Sequence, residues 1–502
     1  MFKFYKSILI FVALSGYASY ADAVLEAVIV SAARTEQSTL STPASITIID
    51  REEIEASGAV YIVDLLHGRG GVQVSDSIGD GSRSSVGMRG FGETANANTL
   101  ILVDGRRINN PDIASPDLNS IVLEDVERIE IVQGSAGILF GDQAVGGVIN
   151  IITREPGALR YSVKLSTGSY DASDIHVMAS QVLDNSFNYR VSLDARESDH
   201  YRENNESSYL NTFAKLGYDY GAGSVFAELQ YIDDELNTPG TLFDDEMAAD
   251  RRQTMPNFSA DFSDSKTNME RLGLVHEISN DWSFEGEITR RDTEGDFRLS
   301  SVFGAETQNS SQDRKVQEFT PRFIGVIPAL NNTLLTLGVD VVESDYHLSS
   351  RFGDQFNEQS QESIYAQAVV PATDALDVTV GVRHASVENA LRDTGTFALY
   401  ASGKQVDDDV TVATLGIAIK ANENMRLLLR ADQNYRFAKV DEFMAPAFSP
   451  TFSPIILETQ EGLSLETGVE WTDEKSSAKR QDAGLHFRRS ASLFFRKASE
   501  LL

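Results

Sequence analysis

The chain has 502 residues, no cysteine, 75 acidic against 43 basic residues and a formal net charge of −32. Such an acid excess disfavours a nucleic-acid partner, whose phosphates demand Lys and Arg, and the absence of Cys excludes disulfides and thiolate metal sites. Past residue 21 no run approaches the roughly 20 apolar residues of a transmembrane helix, so a membrane-spanning role requires a closed β-barrel.

Met1 to Ala21 reads as an export signal. Lys3 and Lys6 supply a positive start, Ile8 to Leu14 an apolar centre too short to span a bilayer, and Ser19-Tyr20-Ala21 small residues for cleavage. Leu25 to Ala32 (LEAVIVSA) follows at once, a short β-prone run at the mature N-terminus. Residues 34–156 then read as a small α+β domain, large enough for its own core. Ile46 to Ile49 is a predicted strand. Asp50 caps a helix, with Glu53 completing a capping box and Gly58 as the stop. Val60 to Leu66 predicts a second short helix, and Val72 to Val74 a strand. Leu100 to Val103 is a continuous apolar run, as in a strand buried on both faces, and Asp104-Gly105 turns it back toward Arg106 to Ile108.

Three motifs stand in order: Met88-Arg89-Gly90-Phe91-Gly92, Leu100 to Asn109, and Val126 to Arg154 (VERIEIVQGSAGILFGDQAVGGVINIITR). The last carries Glu130 on a predicted strand and a turn region with Gly134, Gly141, Gly146 and Gly147, where tight turns and close backbone approach need glycine. Together they resemble the plug domain of TonB-dependent outer-membrane transporters. The resemblance implies an α+β plug domain inside an antiparallel transmembrane β-barrel, a cell outer membrane location and no enzyme activity. It also implies that Glu26, Ala27, Val28, Ile29, Val30, Ser31 and Ala32 form a TonB box, which adds a strand to the TonB energy-coupling protein. The box follows the signal so closely that an added N-terminal signalling domain is not expected. Many family plugs have Arg where this chain has Gln133, and Pro where it has Ser135. Arg89 is therefore the expected partner of barrel glutamates.

After Pro156, segments of about ten residues alternate apolar and polar. Leu229 and Tyr231 face one side with Glu228 and Gln230 on the other; Leu337 and Val339 alternate with Thr336 and Asp340. In an outer-membrane barrel the apolar face meets lipid and the polar face lines the lumen. Long connections are expected at 233–265, 295–312, 345–362, 388–409 and 436–462. Acidic clusters within them (Asp233 to Glu235, Asp244 to Glu246, Asp407 to Asp409) suit solvent, with Ca²⁺ as a lesser candidate occupant.

About fourteen strands are expected between residues 157 and 471, whereas the family closes its barrel with 22, and the 346 residues after Pro156 are too few for that number. Gly462 to Trp471 resembles a family barrel strand with Glu466 and Glu470 facing the lumen. From Lys475 onward seven basic residues face two acids and alternation is poor. Residues 472–502 are accordingly expected to be an aberrant basic tail without the terminal aromatic that family members offer the barrel-insertion machinery, as after truncation or a frameshift.

The function these expectations favour is TonB-dependent uptake of a metal chelate, a ferric siderophore or a cobalamin-like corrinoid. The alternatives are a non-functional transporter relic and a passive channel, though the plug argues against an open channel. A periplasmic enzyme has no H-E-x-x-H, G-x-S-x-G or P-loop motif to support it.

Overall fold

A computed structural model describes residues 43–76, 83–183, 186–395, 398–422, 425–444, 457–471 and 489–498, together with the backbone of Ile29–Val30 and Gln37–Ser38. Those last two pairs form a short antiparallel ladder, β1 (Ile29–Val30) with β2 (Gln37–Ser38).

The plug is built on a sheet of β3 (Ser45–Ile49), β6 (Thr99–Val103), β7 (Arg106–Arg107), β8 (Val126–Gln133) and β9 (Gly147–Thr153), in the order β3-β8-β9-β6-β7. Only β6 and β9 run parallel. A separate hairpin joins β4 (Val72–Ser75) to β5 (Ser85–Met88). The alternation of Ile and Val fixes two faces. Ile49, Ile101, Ile129, Ile131, Ile149 and Ile151 point to one core, shared with α1 (Arg51–Ser57) and α2 (Ile62–Leu66). Leu100, Leu102, Val132 and Val148 point to a second core, where Phe140 and the barrel's Tyr365 join them. Thr99 to Leu102 are all buried, as the uninterrupted apolar run requires.

Asp50 caps α1, its Oδ1 accepting from the Glu53 amide at 2.9 Å, and Gly58 closes the helix at φ 69°. The expected capping box is absent there, because the Glu53 carboxylate turns to Arg69. Asp64 of α2 makes the reciprocal contact instead, accepting from the Tyr61 amide at 2.9 Å.

The second sheet starts with β10 (Arg160–Thr167), β11 (Ser173–Val182), β12 (Phe187–Ser198), β13 (Ser207–Asp219) and β14 (Gly223–Leu236). It continues through β15 (Phe262–Ser279), β16 (Trp282–Arg298), β17 (Ser310–Phe319), β18 (Arg322–Ile327) and β19 (Thr333–Ser350). The last part is β20 (Gly353–Thr373), β21 (Leu376–Asp393), β22 (Lys404–Asn422), β23 (Met425–Arg436), β24 (Gln460–Trp471) and β25 (Arg489–Ala498). Each pairs antiparallel with its neighbours, and β17 and β18 occupy one position between β16 and β19, interrupted at Pro321, which has no N–H for the ladder. The expected fourteen positions up to Trp471 are present. Among the described residues β10 and β25 do not pair with each other.

Two expectations need correction. The stretch 345–362 is not a long loop: β19 and β20 run through it and turn at residues 351–352. Charged residues on both faces of these strands mimic loop composition. The acidic clusters shift accordingly. Asp233 to Glu235 lie on β14, Asp407 to Asp409 on β22, and Asp244 to Glu246 on a helical turn, α5 (Asp244–Ala249). Among the described residues no group of three or more His, Asp or Glu is arranged to hold a metal ion. Within residues 472–502, expected as an aberrant basic tail, β25 pairs along β24 from Gly462↔Ala498 to Trp471↔Arg489.

The large sheet is inside out relative to a soluble protein. Leu229, Ile288, Val380 and Val382 are exposed on its outer face, while Glu228, Thr289, Thr379 and Arg383 are buried on its inner one. On β19 and β21 the outward apolar residues span seven positions from the short-turn end (Leu335 to Val341, Leu376 to Val382), about 20 Å of strand and close to the apolar band of a membrane barrel. Beyond that band outward carboxylates take over, six of them facing like charge in three pairs across the ladder: Glu294↔Asp313, Asp345↔Glu358 and Glu388↔Asp407. Charge of that density is costly in hydrocarbon, so the band marks the lipid-facing height.

Candidate functional site: the plug–barrel interface

The plug sits against the polar inner face, and the interface is built mainly from barrel cations and plug carbonyl oxygens. Arg271 of β15 donates through Nη2 to the Asp104 carbonyl at 2.8 Å while paired with Glu228 and Glu287. Arg291 of β16 donates to the carbonyls of Ile108 and Asn109, each at 2.6 Å. Arg383 of β21 reaches the Ile138 carbonyl at 3.3 Å and the Asp340 carboxylate at 2.7 Å, and Arg430 of β23 donates to the Ser135 carbonyl. A buried carbonyl oxygen needs a donor and a buried guanidinium needs acceptors, so each satisfies the other.

The site residues inferred from the sequence distribute as follows. Arg89 follows β5 with φ 58° and reaches across to Glu466 of β24, its Nη1 at 2.6 Å from Oε1. Gly134, at φ 94°, lies against this pair, and a Cβ there would strike the Glu466 carboxylate. Gly141, at φ 71°, abuts Arg383, whose guanidinium would be 2.7 Å from an added Cβ. Gly90 continues the turn after Arg89, while Gly147 starts β9 just after Gly146, whose amide donates to the Asn98 carbonyl at 2.7 Å. Asp104 and Gly105 form the β6–β7 turn, and Asp104 accepts from the Thr153 amide at 2.8 Å. Burial works to raise the Asp104 carboxyl, but the cations of Lys215 and Arg190 and the Thr153 hydrogen bonds outweigh it and hold it below the usual range. Glu130 is buried on β8 and accepts from Arg128 at 2.8 Å, within the plug. Glu470 faces the lumen but pairs with Arg426 of the neighbouring strand at 2.7 Å. Of the expected box, Ile29 and Val30 form β1; Glu26, Ala27, Val28, Ser31 and Ala32 lie outside the described residues.

Two features have no counterpart in the sequence reading. The Gly-rich segment hides a short helix, α4 (Gly137–Phe140), whose Ile138 seats in an apolar patch of Val387, Val412, Tyr435 and Phe437. The connection after β23 folds inward as a strap onto the far end of the plug. Lys439 donates to the Asn110 carbonyl at 2.8 Å, the Val440 amide to the Pro111 carbonyl at 3.3 Å, and Asp441 accepts from the Ile113 amide at 3.2 Å. Asp112 beside it is held by Arg314 at 2.7 Å. Burial lowers the Lys439 ammonium to about 8 and, with Asp112 nearby, raises the Asp441 carboxyl to about 6. Alternation marks Arg271, Arg291, Arg314 and Arg383 as inward, the one signal that points to these anchors.

Between the plug face at Leu100, Leu102 and Arg107 and the wall of β16 to β21 lies a cavity of about 360 Å³. Glu285, Glu287 and Glu318 line its barrel side and Arg106, Arg107 and Arg128 its plug side.

A plug held inside an inverted antiparallel sheet defines the class, and similarity to known proteins agrees. Residues 38–148 match the TonB-dependent Receptor Plug Domain family, and residues 188–479, more than half of the chain, match the TonB dependent receptor-like beta-barrel family. The chain belongs to the TonB-dependent receptor family, whose members are outer-membrane transporters and receptors and not enzymes. Among curated relatives, the vitamin B12 transporter BtuB of Vibrio cholerae serotype O1 is 36% identical over 175 residues, 35% of this chain and 28% of that protein. BtuB of Vibrio vulnificus strain YJ016 is 28% identical over 320 residues, 63% of this chain and 49% of the relative. The chain thus spans at most about half the length of these relatives. Among solved structures, the unliganded ferric citrate transporter FecA superposes with a TM-score of 0.71 at 18% identity, covering 86% of this chain and 68% of FecA. The ferric-catecholate import receptor Fiu of K12 E. coli gives 0.72 at 14% identity, covering 94% and 76%. At such identities the likeness is one of fold.

Proposed function

We propose that the protein is a TonB-dependent transporter that carries a metal chelate, a ferric siderophore or a cobalamin-like corrinoid, across the outer membrane after export by its N-terminal signal. The observation that carries this reading is a folded plug gripped inside the lumen by Arg271, Arg291, Arg383 and Arg430, which bars free diffusion and demands an energised opening. The box around β1 supplies the strand that the TonB partner would pull. The chelate is cargo, and the residues described here act by holding or releasing the plug rather than by any covalent chemistry.

The test is uptake of radiolabelled ferric siderophores and cyanocobalamin by cells lacking their own TonB-dependent transporters, with this chain or its Ile29→Pro variant supplied. Accumulation of one chelate by the wild type, lost in the variant and in cells without TonB, is the expected result. TonB-independent accumulation would replace the reading with a passive channel. No accumulation of any chelate, with the protein present in the outer membrane, would overturn it in favour of a relic.

A further inference from the structure

We propose that His176 is a proton-operated clasp between plug and barrel: when charged, its ring donates to Asp125 of the plug from one nitrogen and to Asp194 of the barrel from the other.

His176 lies on β11, only 1% exposed, at the seam where the plug's Leu123–Asp125 turn meets the β11–β12 hairpin. Its Nε2 is 3.9 Å from Asp125 Oδ1 and its Nδ1 is 3.8 Å from Asp194 Oδ2. Neither nitrogen has a hydrogen-bond partner among the described residues, and the same holds for Asp125 Oδ1. The geometry sets a frustrated choice for a neutral imidazole. It carries one N–H, so it serves one carboxylate and turns a lone pair on the other. A charged imidazolium carries two N–H groups and serves both. Each gap is longer than a hydrogen bond, so proton uptake draws the plug turn and the barrel wall together.

Charged groups stand beside the ring on each strand next to it. On β11 itself Asp174 shares the inner face, two residues away. On β10, Lys164 stands opposite His176 and binds Glu124 of the plug at 2.5 Å. On β12, Arg196 binds Asp194 at 2.6 Å and lies over the rings of Tyr61 and Tyr209. The Tyr209 hydroxyl donates to Asp117 of the plug at 3.1 Å. Asp125, Asp174, Asp194 and Glu124 therefore stand near the ring together with Lys164 and Arg196. What is clasped matters. Asp125 immediately precedes β8, a central strand of the plug sheet, and its carbonyl accepts from the Arg154 amide at 2.8 Å, beside the connection to the barrel. The clasp depends on this geometry and not on the identity of any transported chelate.

The experiment uses the full chain in detergent micelles, with the ring carbons of histidine labelled for NMR and the urea-driven release of the plug followed by tryptophan-free fluorescence labels on β8. The ring signals read the protonation state of His176 directly from about pH 5 to about pH 8, and plug release is expected to be roughly fivefold slower with the imidazolium than with the neutral ring. His176→Gln is expected to abolish that difference, and Asp125→Asn to shrink it. If His176→Gln unfolds the protein, Asp125→Asn alone decides. A ring that keeps one protonation state across the range, or a variant with the full wild-type pH difference, would overturn the proposal.

Discussion

Arg89 of the plug, in the Met-Arg-Gly motif, and Glu466 of β24 stand 2.6 Å apart with exposures of only 14% and 9%, an ion pair that ties plug to barrel wall. Breaking a pair this deep leaves a buried charge without its counterpart. Arg89→Met or Glu466→Gln is expected to lower the stability of the plug–barrel assembly by about 3 kcal/mol. A double-mutant cycle in urea should return strong coupling, and two additive losses would show that the pair does not act as a unit.

Gly134 tests the same corner from the backbone side. Gly134→Ala places a Cβ both at φ 94° and against the Glu466 carboxylate, and is expected to cost about 2 kcal/mol. Shortening the neighbour with Glu466→Ala should recover only the steric part. Thermal unfolding of the single and double variants separates the two contributions.

The strap after β23 predicts a pH effect with a definite sign. The Asp441 carboxyl is raised to about 6, so the folded protein binds a proton there more readily than the unfolded chain. Its contribution is complete below the ordinary carboxylate value near 3.8 and is lost as the pH rises through about 6. Asp441→Asn is expected to stabilise the strap at neutral pH by on the order of 2 kcal/mol and to flatten the dependence between those values. Hydrogen exchange at the Ile113 and Val440 amides reads this directly, and an unchanged profile would count against it.

The apolar band makes a positional prediction. Leu229→Arg, within the band, is expected to cost about 2–4 kcal/mol on membrane insertion, whereas Glu235→Arg, six residues along the same strand, should cost less than about 1 kcal/mol. Refolding into lipid vesicles measures both. Equal costs would place the lipid boundary elsewhere.

Much of this architecture can be read from the chain. The Ile and Val periodicity of the plug strands, the Asp50 cap and the inward parity of Glu466 all follow from spacing that local chemistry enforces. Other parts resist reading for physical reasons. β19 and β20 look like a loop because strands that rise above the lipid no longer carry an apolar face. α4 hides among glycines because its helicity comes from Ile138 and Phe140 being gripped by other elements, not from propensity. Parity points Arg271 and Arg383 inward, but the carbonyls they meet are 167 and 245 residues away in sequence, and no local pattern encodes that pairing.

Arg271, Arg291, Arg383 and Arg430 of the barrel hold the plug by its carbonyl oxygens, which every amino acid possesses. The grip therefore reads the path of the chain and not the letters along it. At Ile108, Asn109 and Ser135 the wall's hold does not depend on which side chain the plug carries, so the plug's own packing and its retention in the barrel can change on separate schedules.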